Sequence, residues 1–228
     1  MQIGRRQLFV RLADCNLSCA YCDTPHAASP TWRAEQEPGS AEVAEYPNPA
    51  SIEILTGLVT DWQCQLPVHQ ALVLTGGEPL LQSSALAAWL PHVSRVLPIY
   101  LETNGTLPEA LAEVLAHLTW VSMDLKLAQV TAEPTPWAAH AAFLQVAGSK
   151  TLQVKVVIDA EVSEAELVEV AVFVCRHAPD VPMILQPRTV AGVPAVTGRQ
   201  LLTLQAAAAR AHPQTLVIPQ LHPMLAIC

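Results

Sequence analysis

The stretch Ala71–Leu90, ALVLTGGEPLLQSSALAAWL, decides the fold class because it holds one complete strand–turn–helix unit. Apolar and β-branched residues over Ala71–Thr75 predict a buried strand, and a longer apolar stretch over Ser83–Val96 predicts a helix. The Gly-Gly-Glu-Pro sequence at 76–79 is typical of a tight turn. A buried strand followed at once by a helix is the repeating unit of parallel α/β sheets.

The same unit recurs on both sides of this stretch. Six strands alternate with six helices, and this alternation predicts an α/β fold with a parallel sheet closed or nearly closed into a (β/α)6 barrel. The predicted strands are Gln7–Ala13, Ala71–Thr75, Pro98–Glu102, Trp120–Leu125, Leu152–Ile158 and Pro182–Gln186. The predicted helices are Ser51–Gln65, Ser83–Val96, Leu107–His117, Thr135–Val146, Ser163–His177 and Thr197–Ala211.

Two segments and the tail depart from this alternation. Residues 24–50 are rich in Pro, Ala, Glu and Ser, which predicts a long loop or insertion. Residues 188–194 are predicted to form a short loop, and a seventh extended run at Thr215–Pro219 opens a C-terminal tail over 215–228. The sequence has neither repeats nor a domain linker, so residues 1–228 are predicted to form a single domain.

Composition excludes several classes of protein. The chain has 228 residues, of which 51% are hydrophobic and 14% charged, so it can bury a full core. A formal charge of −8 argues against a nucleic-acid partner, and the apolar runs are too short to span a membrane. We expect a cytoplasmic protein, in which the six cysteines serve metal binding or catalysis rather than disulfides.

The strongest chemical signal is a cysteine triplet just after the first predicted strand. Cys15, Cys19 and Cys22 have Cys-x3-Cys-x2-Cys spacing, so three thiolates on one loop can hold three irons of a [4Fe–4S] cluster. The fourth iron is then left for a non-protein ligand. The alternative is a zinc site with His26 as fourth ligand. The spacing favours the cluster, because structural zinc sites usually pair two short knuckles and this sequence has one.

Polar residues also follow the other predicted strands. Gly76 and Gly77 allow close backbone approach to a ligand, and Glu78 adds charge, although such a turn is ordinary by itself. Ligands of parallel barrels bind at the carboxyl ends of the strands. We therefore expect one rim to gather the cysteines and the groups that end the later strands: Thr75–Pro79, Glu102–Thr106, Asp124, Lys126, Asp159, Gln186 and Arg188.

The cysteine triplet followed by Gly76-Gly77-Glu78-Pro79 resembles the radical S-adenosylmethionine superfamily. The resemblance implies a partial (β/α)6 barrel, a [4Fe–4S] cluster on the three cysteines, and S-adenosylmethionine chelated to the open iron. In that superfamily one electron from the cluster breaks a sulfur–carbon bond of the cofactor and gives a 5′-deoxyadenosyl radical.

More narrowly, the chain resembles the 7-carboxy-7-deazaguanine synthase family of the queuosine pathway. The resemblance implies a lyase that converts 6-carboxy-5,6,7,8-tetrahydropterin to 7-carboxy-7-deazaguanine with loss of ammonia, assisted by Mg²⁺. It also implies a flavodoxin- or ferredoxin-like electron donor and a homodimer. The stretches that carry it are 4–13, 15–25, 75–81, 102–106, 122–127, 185–187 and 219–222.

Residue roles follow from the same resemblance. It implies Thr24 as the Mg²⁺ ligand. It implies Arg11, Thr75 and the terminal carboxylate of Cys228 as substrate contacts. The implied cofactor contacts are Tyr21, Cys22, Asp23, Gly76, Gly77, Glu78, Asp124, Lys126 and Gln186.

The sequence departs from the family pattern at three places. Asp14 stands where a glycine usually precedes the first cysteine, Pro223 follows the tail residue His222, and the chain begins just after the expected place of a Gln-Gly-Glu-Gly stretch. Two other functions remain open from the residues alone. They are a radical activating enzyme for a glycyl-radical protein, and a zinc-stabilised binding module without catalysis.

Residues outside these motifs are predicted to be structural. Cys64 and Cys175 lie in predicted helices among apolar neighbours, which predicts buried, inert thiols. The histidines at 69, 92, 117, 140, 177 and 212 are predicted to be surface or capping residues.

Overall fold

A computed structural model describes residues 3–22, 24 and 27–221. The strands are β1 (Gln7–Leu12), β2 (Thr31–Glu35), β3 (Val43–Pro47), β4 (Ala71–Gly76), β5 (Ile99–Thr103), β6 (Trp120–Leu125), β7 (Thr151–Ile158), β8 (Met183–Pro187), β9 (Thr189–Val190), β10 (Val193–Pro194) and β11 (Thr215–Val217). The α-helices are α1 (Ile52–Gln65), α2 (Ser83–Val93), α3 (Pro108–Val114), α4 (Ala128–Thr131), α5 (Trp137–Ala147), α6 (Glu164–His177) and α7 (Gly198–Ala211). Short 3₁₀ helices cover Pro79–Gln82 and Leu115–His117.

The parallel α/β sheet has seven strands, and every strand predicted for it is present within two residues of the predicted bounds. The chain falls into two compact units. The first holds Met1–Asn16, Thr24–Glu102 and Glu109–Trp120, and the second holds Leu17–Asp23, Thr103–Pro108 and Val121–Cys228. The single domain over residues 1–228 stays a prediction.

The first unit contains β1, β4 and β5 in that hydrogen-bonded order. The register pairs Arg11 of β1 with Thr75 of β4, so both residues lie at the carboxyl ends of their strands. Strand β4 is buried on both faces, which explains its continuous apolar run Ala71–Leu74. Helix α1 begins at the N-cap Ser51, whose hydroxyl accepts the backbone N–H of Ile54.

The second unit contains β6, β7, β8 and β11 in that order, with β7 and β8 in parallel register from Val154–Met183 to Ile158–Pro187. Helices α6 and α7 begin after the N-cap residues Ser163 and Thr197, whose hydroxyls accept the backbone N–H groups of Glu166 and Gln200. Asp124, Asp159 and Gln186 therefore end or follow neighbouring parallel strands of one unit, as predicted.

The segment predicted as a long loop or insertion contains structure of its own. Strands β2 and β3 pair antiparallel as a hairpin, and the rings of the cross-strand pair Trp32 and Tyr46 stack with centroids 4.5 Å apart. Cross-strand aromatic pairs stabilise hairpins. The pairing was not predicted because the Pro- and Glu-rich composition of this segment is typical of a loop. The predicted loop after β8 likewise contains the small β9–β10 ladder.

Burial corrects two further predictions. Cys64 is exposed because it lies on the solvent side of α1. The buried residue of that helix is Val59. His69, His140 and His212 are buried rather than on the surface. Among the described residues, no helix is both long and apolar enough to cross a membrane.

Candidate functional site

The cysteine loop, residues 15–22, follows β1. Within the second unit, the backbone N–H of Cys22 donates to the carbonyl of Cys19 (3.0 Å), which forms a tight turn around Tyr21. The N–H of Ala20 donates to the carbonyl of Thr131 (3.0 Å), so helix α4 anchors the loop. This turn fixes the spacing between the second and third cysteines.

The chemistry of the three side chains fits an iron–sulfur cluster. Cys15 and Cys19 are half-buried, Cys22 is exposed, and all three are thiols rather than disulfides. Three thiols within eight residues provide three soft ligands and leave one iron without a protein ligand. Among residues 3–22, 24 and 27–221, no three His, Cys, Asp or Glu side chains are gathered closely enough to bind a metal ion. The ligand set is therefore assigned from residue type and spacing.

The glycine turn after β4 is packed against protein backbone. A Cβ atom on Gly76 would lie 2.1 Å from the Leu12 carbonyl oxygen, and one on Gly77 would lie 1.9 Å from the Asp14 carbonyl oxygen. The N–H groups of Gly77 and Glu78 donate to these same two oxygens, at 3.0 and 2.7 Å. The glycines thus allow the end of β1, immediately before Cys15, to approach the turn.

Asp14 has an unusual backbone conformation. Its φ of +68° lies in the left-handed region, which a residue with a Cβ adopts at a cost. This geometry gives a physical reason for a glycine before the first cysteine. Asp14, which this sequence has instead, adopts the same conformation at a cost in free energy.

Three predicted substrate and metal residues, Arg11, Thr24 and Thr75, make side-chain hydrogen bonds in the first unit. The guanidinium of Arg11 donates from Nη1 to the Thr24 hydroxyl oxygen, at 3.2 Å. The Thr75 hydroxyl donates to Glu102 Oε2, at 3.1 Å, so its oxygen faces any ligand as an acceptor. The first unit thus places a cation beside a hydroxyl at the end of β1, and a carboxylate beside a hydroxyl at the ends of β4 and β5.

The second unit has a buried network of charges at the end of β6. The ammonium of Lys126 donates to Asp124 Oδ2 and to the Tyr21 hydroxyl oxygen, both at 2.8 Å. The ammonium of Lys155 lies 3.5 Å from the same Asp124 oxygen. The structure therefore brings together three predicted cofactor residues, Tyr21, Asp124 and Lys126.

The electrostatics of this network are set by burial and charge pairing. Burial alone would raise the pKa of Asp124, but the ammonium groups of Lys126 and Lys155 outweigh it and hold the pKa below its usual value. Burial and the Asp124 charge raise the pKa of Tyr21, so its hydroxyl remains protonated at neutral pH. Asp124 Oδ1 is buried and accepts no hydrogen bond from the described residues. This oxygen fits a ligand that carries a hydrogen-bond donor.

His140 and Lys155 belong to this region, and sequence reasoning missed both. His140 is fully buried on α5, and its ring contacts the backbone of Lys126 and of Gly105. Burial lowers its pKa to about 4. The available signals were a single polar residue in the apolar helix segment AAHAAF and a lysine inside the apolar strand β7.

The remaining predicted site residues have separate positions. Gln186 is half-buried at the end of β8. Glu78 is fully buried, and its carboxylate accepts the N–H of Leu80 at 3.0 Å, so it also caps the 3₁₀ helix that follows. Asp23 and Cys228 lie outside the described residues, as do His26 and His222.

The sequence is similar to known proteins over nearly its whole length. The profile of the radical SAM superfamily matches residues 10–133. The 7-carboxy-7-deazaguanine synthase of Geobacter sulfurreducens is 38% identical, over 97% of this chain and 90% of that protein. The protein of the same name from Thermococcus kodakarensis is 32% identical, over 81% of this chain and 75% of its own.

Solved structures share the fold. SuiB of Streptococcus suis bound to S-adenosylmethionine superposes with a TM-score of 0.64 at 13% identity, over 95% of this chain and 50% of that one, so the chain spans about half of SuiB. TYW1 with a lysine-pyruvate adduct superposes with a TM-score of 0.53 at 14% identity, over 87% of this chain and 70% of that one. At these identities the likeness concerns the fold, and it confirms the predicted fold class.

Proposed function

Because this chain belongs to the radical S-adenosylmethionine superfamily and, within it, to the 7-carboxy-7-deazaguanine synthase family, we propose that it converts 6-carboxy-5,6,7,8-tetrahydropterin to 7-carboxy-7-deazaguanine. The observation that carries the proposal is the similarity to the Geobacter protein, which spans nearly all of both chains. Membership of this enzyme family argues against the alternative of a zinc-stabilised binding module without catalysis.

Cys15, Cys19 and Cys22 are proposed to hold a [4Fe–4S] cluster with S-adenosylmethionine at its open iron. When bound, the cluster supplies the electron that starts radical chemistry on the cofactor. The protein's contribution is to bind and orient that cofactor. In the second unit, Asp124 offers an unsatisfied buried oxygen to a donor of the cofactor, and the Lys126 ammonium holds the Tyr21 ring beside the second and third cysteines. Gly76, Gly77, Glu78, Asp23 and Gln186 complete the proposed cofactor contacts.

Thr24 is proposed to bind Mg²⁺ through its hydroxyl oxygen. Mg²⁺ prefers oxygen ligands and keeps several waters, so one hydroxyl with a substrate carboxylate is a sufficient anchor. The Arg11 guanidinium now donates to this oxygen, so metal binding would release Arg11 to pair with a substrate carboxylate. Thr75, presented as an acceptor by Glu102, and the terminal carboxylate of Cys228 complete the proposed substrate contacts.

The proposed setting follows from the same chemistry. A reduced cluster requires an electron donor such as flavodoxin or ferredoxin, and reduced cysteines suit the cytoplasm. A homodimer is proposed from the family alone.

One incubation tests the reaction. The reduced, reconstituted protein is mixed with S-adenosylmethionine, Mg²⁺ and the carboxy-tetrahydropterin, and the products are identified by mass. We expect 5′-deoxyadenosine or regenerated cofactor together with 7-carboxy-7-deazaguanine. Cofactor cleavage without the deazaguanine would leave a radical enzyme with another substrate, such as an activating enzyme for a glycyl-radical protein.

Matched cysteine variants test the cluster assignment. Replacing Cys15, Cys19 or Cys22 by Ala is expected to abolish cluster assembly, because each thiolate fills one iron's ligand set. Cys64→Ala is the control, since Cys64 is an exposed thiol outside the loop. Iron content and the visible absorption of the anaerobic protein measure the outcome. Equal iron loss in all four variants would refute the assignment.

The metal and substrate roles separate by the Mg²⁺ response. Thr24→Ala is expected to lose Mg²⁺ stimulation while keeping cofactor cleavage, because the substitution removes the proposed metal-binding hydroxyl and leaves the three cysteines in place. Arg11→Ala is expected to raise the KM for the pterin and to leave the Mg²⁺ response intact. Titrations of the initial rate with Mg²⁺ distinguish the two variants. An unchanged Mg²⁺ response in Thr24→Ala would show that another residue binds the metal.

A further inference from the structure

Among the residues that the structure describes, three buried histidines lie outside the predicted site, and one of them contacts it. His140 stands on α5 with no exposed surface. Its Nε2 lies 3.4 Å from the backbone nitrogen of Lys126, and its Nδ1 lies 3.1 Å from the carbonyl oxygen of Gly105. The ring therefore bridges two strand-end loops of the second unit, the loop after β5 and the loop after β6.

The partners fix the tautomer of the ring. The Lys126 backbone N–H can only donate, so Nε2 accepts, and the Gly105 carbonyl can only accept, so Nδ1 carries the proton. A protonated ring would place a second donor against the Lys126 N–H and lose that hydrogen bond. The charged groups that bear on the ring are Asp124 and Lys126, and burial keeps it neutral.

The contact with Lys126 leads to the cysteine loop. The side chain of Lys126 donates to Tyr21 and Asp124, and its ammonium also lies 5.2 Å from the centre of the Tyr21 ring. Tyr21 stands between Cys19 and Cys22. The Lys126 side chain therefore links its own backbone to the cysteine loop through the hydrogen bond to Tyr21. A shift in that backbone would move the ammonium away from the Tyr21 hydroxyl.

The opposite end of the bridge is a glycine turn with a local hydrogen bond of its own. Gly105 has a φ of +68°, and a Cβ there would lie 2.5 Å from the Met123 side chain, so a residue with a side chain would be strained at this position. The Thr103 hydroxyl accepts the Gly105 N–H at 3.2 Å. His140 thus ties the backbone of Lys126 to the turn that follows β5.

We propose that His140 is a positioning residue, which holds Lys126 so that its ammonium keeps Tyr21, and with it the cysteine loop, in place for S-adenosylmethionine. The effect on the cofactor rests on the proposed function, whereas the effect on Tyr21 does not. The competing interpretation is a core histidine that contributes stability alone.

His212 provides the matched control. It is also a fully buried histidine of the second unit, and its Nε2–H donates to the Val181 carbonyl at 2.7 Å. The hydrogen bond of this ring to Val181 involves neither Lys126 nor the cysteine loop. His140→Leu and His212→Leu therefore remove comparable buried rings, and only the first removes the bridge.

The first readout is independent of iron and of activity. The full chain has three tyrosines, so 3-fluorotyrosine labelling gives three ¹⁹F NMR lines, and Tyr21→Phe assigns one of them. In the iron-free protein, His140→Leu is expected to move the Tyr21 line and to increase its H₂O/D₂O solvent shift. His212→Leu is expected to leave that line unchanged.

Two polar variants test the two hydrogen bonds of the His140 ring separately. They also provide a test if His140→Leu does not fold. The Gln side chain reaches the Nε2 position and can accept from Lys126, whereas the Asn side chain reaches only the Nδ1 position and can donate to Gly105. The proposal requires His140→Gln to retain the Tyr21 line and His140→Asn to shift it. A line that is unchanged in Asn and Leu, or shifted equally by His212→Leu, would overturn it.

The second readout is cofactor binding by the reconstituted protein. His140→Leu is expected to weaken S-adenosylmethionine binding about tenfold or more, as removal of supporting contacts around metal sites commonly does. His140→Gln and His212→Leu are expected to bind as wild type does. If wild type neither binds nor cleaves the cofactor, the proposed function fails and the NMR result still decides the role of His140. If wild type cleaves it and His140→Leu and His140→Asn match wild type, the proposal fails alone.

Discussion

The turn after β4 and the turn after β6 end parallel strands in the same way, but different forces hold them. The first turn is stabilised by backbone hydrogen bonds from Gly77 and Glu78 to the end of β1, in a space that excludes any side chain. The second is stabilised by the buried charges of Asp124 and Lys126. A recognisable glycine motif thus serves close backbone packing after β4, whereas charged residues that form no known motif build the buried ion pair after β6.

The comparison predicts its largest effect at Gly77. Gly77→Ala places a Cβ 1.9 Å from the Asp14 carbonyl oxygen, so the backbone before Cys15 must move. We expect a loss of about 4 kcal/mol or more in the free energy of unfolding, since a backbone contact cannot relax as a side chain can. The cluster should also be lost, because the displaced segment leads directly into its first ligand.

Denaturant unfolding and iron content measure this change, and Gly57→Ala is its control. A Cβ on Gly57 meets nothing within 4 Å in helix α1, so that variant should be neutral or more stable by up to about 1 kcal/mol. Wild-type stability and full iron content in Gly77→Ala would show that the turn is looser than its backbone contacts indicate.

The second effect concerns the charged turn. Asp124→Ala leaves the buried ammonium of Lys126 without its anion, which is expected to cost about 3 kcal/mol of unfolding free energy. Asp159→Ala is the matched control, because the Asp159–Arg188 pair is longer, at 3.9 Å, and its arginine is partly exposed. The control should lose at most about 1 kcal/mol. Equal losses would mean that burial adds nothing to the first pair.

The next effect in size is a pH dependence of the free energy of unfolding, and it tests His140, which contacts the turn after β6. The pKa of His140 is about 4 in the folded chain and about 6.5 in an unfolded one, so between these values the unfolded state binds one more proton. Stability therefore falls as pH falls below about 6.5, and the dependence ends near pH 4. Between pH 7 and pH 5 this histidine should account for about 2 kcal/mol of the loss.

Denaturant unfolding of wild type and His140→Leu at pH 7 and pH 5 isolates that contribution. The variant lacks the titrating ring, so its stability should fall less over the same interval. An identical pH dependence in both proteins would mean that the ring is already protonated in the folded chain or is not buried.

The smallest effect returns to the backbone-held turn. Asp14 adopts a φ of +68°, which glycine adopts without strain, so Asp14→Gly relieves a local cost. The greater freedom of glycine in the unfolded chain offsets part of the gain, and we expect an increase of under about 1 kcal/mol. Thermal unfolding measures it, and Ala13→Gly, one residue earlier in the chain, serves as the control. A destabilised Asp14→Gly would show that the aspartate side chain contributes more than its backbone costs.

The same contrast explains which parts of the molecule could be read from the sequence. The strand and helix order was predictable because each element carries its own apolar period, and helices α1, α6 and α7 carry hydroxyl caps. The hairpin β2–β3 was missed because its stability depends on the cross-strand pair Trp32–Tyr46, whose members are fourteen residues apart. The exposure of Cys64 was missed because apolar neighbours in the sequence suggested burial, whereas burial in α1 depends on which side of the helix the rest of the fold covers.

By itself, the sequence determined the parallel α/β class, the cysteine triplet and the glycine turn, since each depends on residue type at short spacing. Only the tertiary structure shows that Gly76 and Gly77 accommodate the backbone at the end of β1, and that Lys126, paired with Asp124, also binds Tyr21, 105 residues before it in the chain. It alone placed the ring of His140 against the backbone of Lys126. The physical reason is that a buried charge or ring is defined by the partners that satisfy it, and the fold brings those partners from distant parts of the chain.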